Sequence, residues 1–102
     1  MVTEKRTPHN ALASVQAMVR AGNVRATRSA LEGADDLDMG MDFDAICEVV
    51  CHLTMADFYK SMTAYHDESI WHDVYRPYFN GVQLYVKVIV QSGVLIVSFK
   101  EK

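Results

Sequence analysis

The second half of the chain constrains the fold most, because four segments rich in β-branched and aromatic residues follow one another there: "DFYKSMTAY", "SIWHDVYRPYF", "VQLYVKVIV" and "VLIVSFK". Residues of these types are enriched in β-strands. Strands that follow one another with no helix between them favour an antiparallel sheet. Pro77 has no N–H to donate to a neighbouring strand, so the second of these strands is predicted to stop or bend at that residue.

Apolar residues in the first half recur at helical spacing in three segments. Thr7 and Pro8 suit the N-cap and the first position of a helix, and Gly22 suits its end. Thr27 and Asp42 are predicted to cap the second and third helices, because short oxygen-bearing side chains accept hydrogen bonds from the first N–H groups of a helix.

Length and hydropathy favour one domain outside the membrane. The chain has 102 residues and half of them are apolar, which is enough for one domain over residues 1–102 and too little for two ordinary ones. No run approaches the roughly 18 apolar residues of a membrane helix, and the N-terminus lacks the apolar stretch of a secretory signal. We expect a cytoplasmic protein of α+β class with no membrane partner, in which N-terminal helices pack on an antiparallel sheet formed by the C-terminal half.

The last two strand segments predict a hairpin, and its cross-strand partners can be assigned by counting from the turn. If Ser92 and Gly93 form a two-residue turn, Tyr85 lies opposite Lys100, and Lys87 shares their face. Cβ atoms of such a pair are roughly 5 Å apart, so a phenol and an ammonium there could act on one phosphate. The alternative is a solvated face on which Lys100 belongs to a polar tail. The apolar face of the hairpin is predicted to consist of Leu84, Val86, Val88, Val90, Leu95, Val97 and Phe99.

Three polar residues in the earlier strand segments are further candidates. Lys60 is predicted to share a face with the apolar residues Phe58 and Met62, which is unusual for a charge unless the side chain reaches water from the sheet margin. His72 has an unperturbed pKa of roughly 6.5 and could act as a general acid or base, or be an ordinary surface or hydrogen-bonded imidazole. Arg76 is four residues after His72, so in a strand both side chains lie on the same face, and Arg76 is a candidate phosphate contact.

Charge and ligand spacing exclude some classes of function. The formal net charge of −3 argues mildly against a polyanionic partner, but the acidic excess lies in the first half, so the cations of the second half can concentrate locally. Cys47 and Cys51 have C-x3-C spacing with His52 beside them, which gives too few ligands for a metal site. The stretch "DDLDMGMDFD" lacks the ligand spacing of a calcium loop. We expect no metal and no cofactor.

Motifs spread over nearly the whole chain carry a family resemblance: "EKRTPH", "RSAL", "DFD", "DFYKSMT", "DVYRP", "LYVK" and "VLIVSFKEK". Through them the chain resembles the MqsR (motility quorum-sensing regulator) family of bacterial mRNA interferase toxins. The resemblance implies a RelE-like fold and the toxin of a type II toxin–antitoxin system. It also implies a metal-independent endoribonuclease that cleaves single-stranded mRNA, with a preference for GCU-type sites.

The resemblance also implies site residues and partners. It places the family's proposed active-site residues at Lys60, Tyr85 and Lys100, and at a fourth position where the family pattern has glutamine and this chain has His72. It implies an mRNA substrate and a protein antitoxin of the MqsA type, which carries zinc and supplies DNA binding, so that this chain meets DNA only through the antitoxin.

Metal-free cleavage of RNA uses the 2′-hydroxyl of the substrate as the nucleophile. Lys60 and Lys100 are expected to stabilise charge on the phosphate, and Arg76 and Lys87 to bind RNA. Tyr85 has three open roles: to position a phosphate, to donate a proton, or to stack on a base. One alternative function is a catalytically impaired RelE-like module that only binds an antitoxin or RNA. Another is an α+β enzyme that binds a small molecule in a deep apolar pocket.

Overall fold

The structure of the protein is a computed structural model that describes residues 2–102. Within these residues the elements are, in chain order, β1 (Glu4–Lys5), α1 (Leu12–Arg20), β2 (Val24–Ala26), α2 (Arg28–Asp35), α3 (Phe43–His52), a 3₁₀ turn (Met55–Asp57), β3 (Phe58–Ala64), β4 (Asp67–Tyr75), β5 (Tyr78–Phe79), β6 (Val82–Val90) and β7 (Val94–Glu101). The strands form a sheet of order β1-β3-β4-β6-β7-β2, with β5 paired to β6. The predicted α+β class is confirmed.

Two strands of the sheet come from the first half of the chain. β1 pairs antiparallel with β3, and β2 pairs parallel with β7 at the opposite edge. The prediction of an antiparallel sheet formed by the C-terminal half alone is therefore wrong for these two strands. Each has two or three residues, which is too short for an alternation of polar and apolar side chains to be visible in sequence.

The start of α1 also differs from the prediction. The helix begins at Leu12, not near Thr7. The reason lies far along the chain, in the buried carboxylate of Asp73 on β4. This carboxylate accepts hydrogen bonds from the backbone N–H groups of His9 at 2.8 Å and Asn10 at 3.0 Å. These hydrogen bonds tie residues 9 and 10 to the sheet, and the chain becomes helical only after Ala11, whose backbone is extended (φ −58°, ψ 130°).

The caps of the other two helices are as predicted. The hydroxyl oxygen of Thr27 accepts a hydrogen bond from the N–H of Ala30 at 3.1 Å, and the carboxylate of Asp42 accepts one from the N–H of Ala45 at 2.9 Å. β4 ends before Pro77, which confirms the predicted stop. None of the helices within residues 2–102 has the length and hydropathy needed to cross a lipid bilayer.

The helices cover one face of the sheet. Side chains of the core join the helices to the central strands. On β6 the core residues are Leu84, Val86 and Val88, and alternation along a strand therefore turns Tyr85, Lys87 and Ile89 to the other face. We call this other face, which is turned away from the helices, the open face.

The hairpin of β6 and β7 has the predicted cross-strand partners at the end away from the turn, but the turn itself differs from the prediction. Tyr85 pairs with Lys100, as expected. The two-residue turn is wrong, however, because Val90 pairs with Val94 and the loop consists of residues 91–93.

A bulge on β7 compensates for the longer loop. Lys87 pairs with Ser98 while Val88 pairs with Ile96, so Val97 is the extra residue on β7. A bulge residue reverses the alternation of faces along its strand. The predicted core positions Leu95 and Val97 are therefore wrong, and the buried core residues of β7 are Val94, Ile96 and Phe99.

α2 packs directly against β7 at Gly33. A Cβ atom at this position would lie 2.4 Å from the carbonyl oxygen of Phe99 and 3.4 Å from the Cβ of Lys100. Only a residue without a side chain lets the helix approach the strand this closely. The helix therefore packs against the part of β7 that carries Lys100, and Lys100 lines a groove between the two elements.

Candidate active site on the open face

The open face carries the six polar residues that the sequence singles out. On β6 and β7 the neighbouring residues face the core, so alternation turns these side chains to the other face of the sheet, and Lys60 shares that face because it pairs with Val74, which pairs with Lys87. They are Lys60 on β3, His72 on β4, Arg76 directly after β4, Tyr85 and Lys87 on β6, and Lys100 on β7. Their shared face is an observation, whereas their individual roles remain predictions.

Cross-strand pairing sets the spacing of these residues. Lys60 pairs with Val74, and Val74 pairs with Lys87 on the next strand. Two strand spacings of about 4.8 Å separate the backbones of the two lysines. Tyr85 and Lys100 form the adjacent pair, two residues along β6 from Lys87. The ammonium groups of three strands thus surround one phenol.

The charges of these lysines act on one another. Burial lowers the pKa of Lys87, and the positive charges of Lys100 and Lys60 lower it further. The Nζ atoms of Lys87 and Lys100 lie 5.7 and 5.5 Å from the centroid of the Tyr85 ring. Like charges held this close destabilise each other, and an anion bound among them would relieve the repulsion.

The phenol of Tyr85 is half-buried within this group. Burial raises its pKa, and the charge of Lys60 acts in the opposite direction. Since the ordinary pKa of a tyrosine is already near 10, the phenol keeps its proton at neutral pH. Tyr85 is therefore able to donate a hydrogen bond or a proton to an oxygen atom of a ligand.

His72 lies beyond the row of Lys60 and Lys87. It pairs with Met62 on β3, so the row that contains Lys87 separates it from Tyr85. Burial lowers its pKa, and the charge of Lys87 adds to this, so the imidazole is uncharged at neutral pH. Its Nδ1 atom is buried and has no hydrogen-bond partner within residues 2–102. Nε2 is the ring nitrogen that can meet a ligand.

Tyr59 belongs to the site and was missed by the sequence reasoning. β3 has a register shift between Phe58 and Lys60, so simple alternation fails at Tyr59. For the same reason the predicted shared face of Phe58 and Lys60 is wrong, since Phe58 packs against the core. The guanidinium carbon of Arg76 lies 3.7 Å from the centroid of the Tyr59 ring. Stacking of this kind holds the guanidinium in a fixed orientation.

Glu4 is the second missed residue. It pairs with Met62 in the register of β1 and β3, and its side chain therefore lies on the open face. Its Oε2 atom accepts a hydrogen bond from Nζ of Lys60 at 2.5 Å. This hydrogen bond is the main cause that lowers the pKa of Glu4. A strand of two residues gives no periodic signal, and the sequence alone does not distinguish Glu4 from a residue of a polar tail.

A groove elsewhere in the protein has the apolar lining that a small-molecule site would need. Its volume is about 520 Å³, and it lies between α3 and β5. The lining residues are Ala45, Glu48, Val49, His52, Leu53, Asp57, Pro77, Tyr78 and Phe79. The carboxylate of Asp57 is used by the backbone N–H of Thr54. None of the six polar residues of the open face lines this groove.

Over residues 2–102, no three side chains of His, Cys, Asp or Glu are grouped so that they could hold a metal ion. The expectation of metal-independent chemistry remains a prediction that depends on a direct assay.

Comparison with known proteins identifies the family. The family described as "Motility quorum-sensing regulator, toxin of MqsA" matches residues 7–101. The chain belongs to the MqsR toxin family. One relative, the mRNA interferase toxin MqsR of Escherichia coli (strain K12), is 58% identical over 99 residues, which are 97% of this chain and 99% of the relative. The resemblance to the MqsR family that the sequence motifs indicated is confirmed.

Proposed function

We propose that the protein is an mRNA interferase, the toxin of a type II toxin–antitoxin system, and that its active site is the open face. One observation carries this assignment: in a chain of the MqsR toxin family, the charges of Lys60, Arg76, Lys87 and Lys100 gather around Tyr85 on the open face. We further propose that the fold is RelE-like and that the protein acts in the cytoplasm, where mRNA is found.

The open face suits a phosphate backbone electrostatically. RNA binding depends on local cations more than on net charge, and a formal charge of −3 does not oppose it when the cations are concentrated on one face. Lys87 is half-buried and is repelled by the charges of Lys100 and Lys60. A bound phosphate replaces this repulsion by attraction. Arg76 and Lys87 therefore hold the RNA, in part through charge-assisted hydrogen bonds.

The proposed reaction needs a proton acceptor, a proton donor and charge stabilisation. We assign removal of the 2′-hydroxyl proton to His72, whose lowered pKa leaves the imidazole uncharged with one ring nitrogen able to accept a proton. RNA held by both His72 and Tyr85 has to span the row that contains Lys87. The 2′-oxygen then forms a bond to phosphorus, and the bond from phosphorus to the 5′-oxygen breaks. Tyr85 gives its proton to the departing 5′-oxygen. The products are a 2′,3′-cyclic phosphate and a 5′-hydroxyl.

Lys60 and Lys100 stabilise the transition state. Negative charge increases on the non-bridging phosphate oxygens while the new bond forms, and ammonium groups already in place do not have to reorganise at that moment. Nζ of Lys60 donates a hydrogen bond to the Glu4 carboxylate, and Nζ of Lys100 lies 5.5 Å from the centroid of the Tyr85 ring.

The proposed partners follow from the family. An antitoxin of the MqsA type neutralises the protein, and contact with DNA occurs only through that antitoxin. The proposed substrate is single-stranded mRNA cut at GCU-type sites, since unpaired bases can meet Tyr59 and Tyr85 by stacking.

A cleavage assay tests the function. The purified protein is incubated in excess EDTA with an unstructured RNA that contains a GCU triplet. We expect discrete fragments that end in a 2′,3′-cyclic phosphate, and no cleavage where the nucleotide 5′ to the cut has a 2′-deoxyribose. Lys102→Ala, a charge change outside the site, serves as the matched control for Lys60→Ala and Lys100→Ala.

Two outcomes would contradict this proposal. RNA that stays uncut at every protein concentration would favour the catalytically impaired binding module. Cleavage that disappears in EDTA and returns with a divalent cation would contradict the metal-independent mechanism.

A further inference from the structure

We propose that Glu4 is a positioning residue of the active site, whose carboxylate fixes the ammonium of Lys60 where it meets the phosphate. The inference rests on the proposed function of the open face. It concerns a residue on the two-residue strand β1, far in sequence from the other members of the site.

Lys60 needs an external partner because its surroundings repel it. Its charge is among the causes that lower the pKa of Lys87, so the two ammonium groups repel each other. Arg76 adds a third cation, which shares the Tyr59 ring with Lys60: the guanidinium carbon lies 3.7 Å and the ammonium 5.2 Å from the ring centroid. A lysine side chain has four flexible carbons and would turn toward solvent without an opposing charge.

Glu4 supplies that opposing charge. Its carboxylate is 2.5 Å from Nζ of Lys60, and in this pair the Lys60 side chain is only 16% exposed while that of Glu4 is 43% exposed. The carboxylate also influences Tyr85, whose pKa it raises slightly. Glu4 therefore lies at the edge of the site, close enough to orient one of its cations.

The chain on both sides of Glu4 is hydrogen-bonded to β3, through the backbone before it and through a side chain after it. Before it, the N–H of Thr3 donates to the hydroxyl of Thr63 at 2.8 Å, and the N–H of Thr63 donates to the carbonyl of Thr3 at 2.9 Å. After it, the guanidinium of Arg6 donates to the carbonyl oxygen of Tyr59 at 3.4 Å. A side chain on a tethered strand holds its partner more accurately than one on a free terminus.

A positioning role predicts opposite effects on binding and catalysis. Removing the charge of Glu4 leaves the open face with one more net positive charge, so RNA binds more tightly, by roughly two- to fivefold at low salt. The same change frees Lys60, and misplacement of a catalytic group lowers the rate of the bound complex, by about tenfold or more. A purely structural contact would weaken both properties together.

The experiment compares the full-length wild type with Glu4→Gln, Glu4→Asp and the control Glu48→Gln, which removes a charge from α3 on the other side of the sheet. Single-turnover cleavage gives the rate at saturating RNA, and an RNA with a 2′-deoxyribose at the cut gives Kd without cleavage. We expect Glu4→Gln to lower the rate and tighten Kd. Glu4→Asp keeps the charge and restores most of the rate, and Glu48→Gln leaves both quantities at wild-type values.

Several outcomes would overturn the role of Glu4. A higher kcat/KM in Glu4→Gln would make the carboxylate a competitor of phosphate, and a weaker Kd with a lower thermal unfolding temperature would make it a structural contact. A wild-type rate that falls at acidic pH, with no such fall in Glu4→Gln, would make it the proton acceptor. If the wild type itself leaves RNA uncut, the proposed nuclease function is refuted. This outcome differs from those that refute only the role of Glu4.

Discussion

Asp73 provides a prediction whose magnitude follows from the structure. The side chain is fully buried, and its two carboxylate oxygens accept hydrogen bonds from the hydroxyl of Ser61, from the N–H of His9, and from the backbone and side-chain N–H groups of Asn10. In Asp73→Asn one of these oxygens becomes an NH₂ group. Each oxygen accepts two of the four hydrogen bonds, so two of the N–H or O–H donors then face an NH₂ group instead of an acceptor.

The expected loss is about 3 kcal/mol. Hydrogen bonds to a charged acceptor contribute about 1.5–3 kcal/mol each, and two are lost. We take the lower end, because the groups of Asn10 are only partly buried and can turn toward water. For a domain of this size each kcal/mol lowers Tm by about 4–8 °C, so Tm is expected to fall by about 12–24 °C.

Urea unfolding followed by circular dichroism measures this loss. Asp35→Asn, an exposed change on α2, is the matched control and should leave the midpoint close to that of the wild type. A loss below about 1 kcal/mol in Asp73→Asn would refute the reasoning, because it would mean that the buried carboxylate does not hold residues 9–10 in solution.

Three further predictions concern the site and its support. Gly33→Ala forces a methyl group against the carbonyl oxygen of Phe99, so it is expected to destabilise the fold by about 1–3 kcal/mol in urea unfolding; an unchanged midpoint would contradict the close packing of α2. The pKa of His72 is lower in the folded state than in the unfolded state, so the unfolded state binds a proton more readily. The free energy of unfolding is therefore expected to fall as pH decreases below about 6.5. Unfolding at pH 7.5 and pH 5.5 should show a smaller change in His72→Gln than in the wild type, and an equal change would reject the lowered pKa. Lys100→Ala is expected to reduce the cleavage rate by about 10²-fold with Tm nearly unchanged, and a rate within twofold of the wild type would remove Lys100 from the mechanism.

The parts of the fold that depend on local chemistry could be predicted from sequence. The caps at Thr27 and Asp42 bind N–H groups only three residues away, and Pro77 ends its strand by its own covalent structure. The late start of α1 could not be predicted, because the group that holds the preceding residues is Asp73, more than sixty residues along the chain.

Bulges limited the prediction of the site. The pairing of Tyr85 with Lys100 was predicted from a turn that is too short, and it is correct because the bulge at Val97 offsets the longer loop. The register shift beside Tyr59 hid that residue in the same way. A bulge interrupts the alternation of faces from which strand partners are predicted. Its position is set by packing between strands and not by the type of the bulged residue. Glu4 was hidden for another reason, since its strand is too short to show any pattern.

The crowding of positive charge around Lys87 has a consequence for the whole molecule. Lys87 is half-buried between Val74 and Ser98, and an apolar side chain at this position would make the fold more stable. Lys87→Met is therefore expected to melt at a higher temperature than the wild type while holding RNA more weakly, which is a trade-off between stability and activity. By the same argument, free polyvalent anions such as inorganic phosphate are expected to raise the Tm of the folded protein, because the crowded cations are present only in the native state.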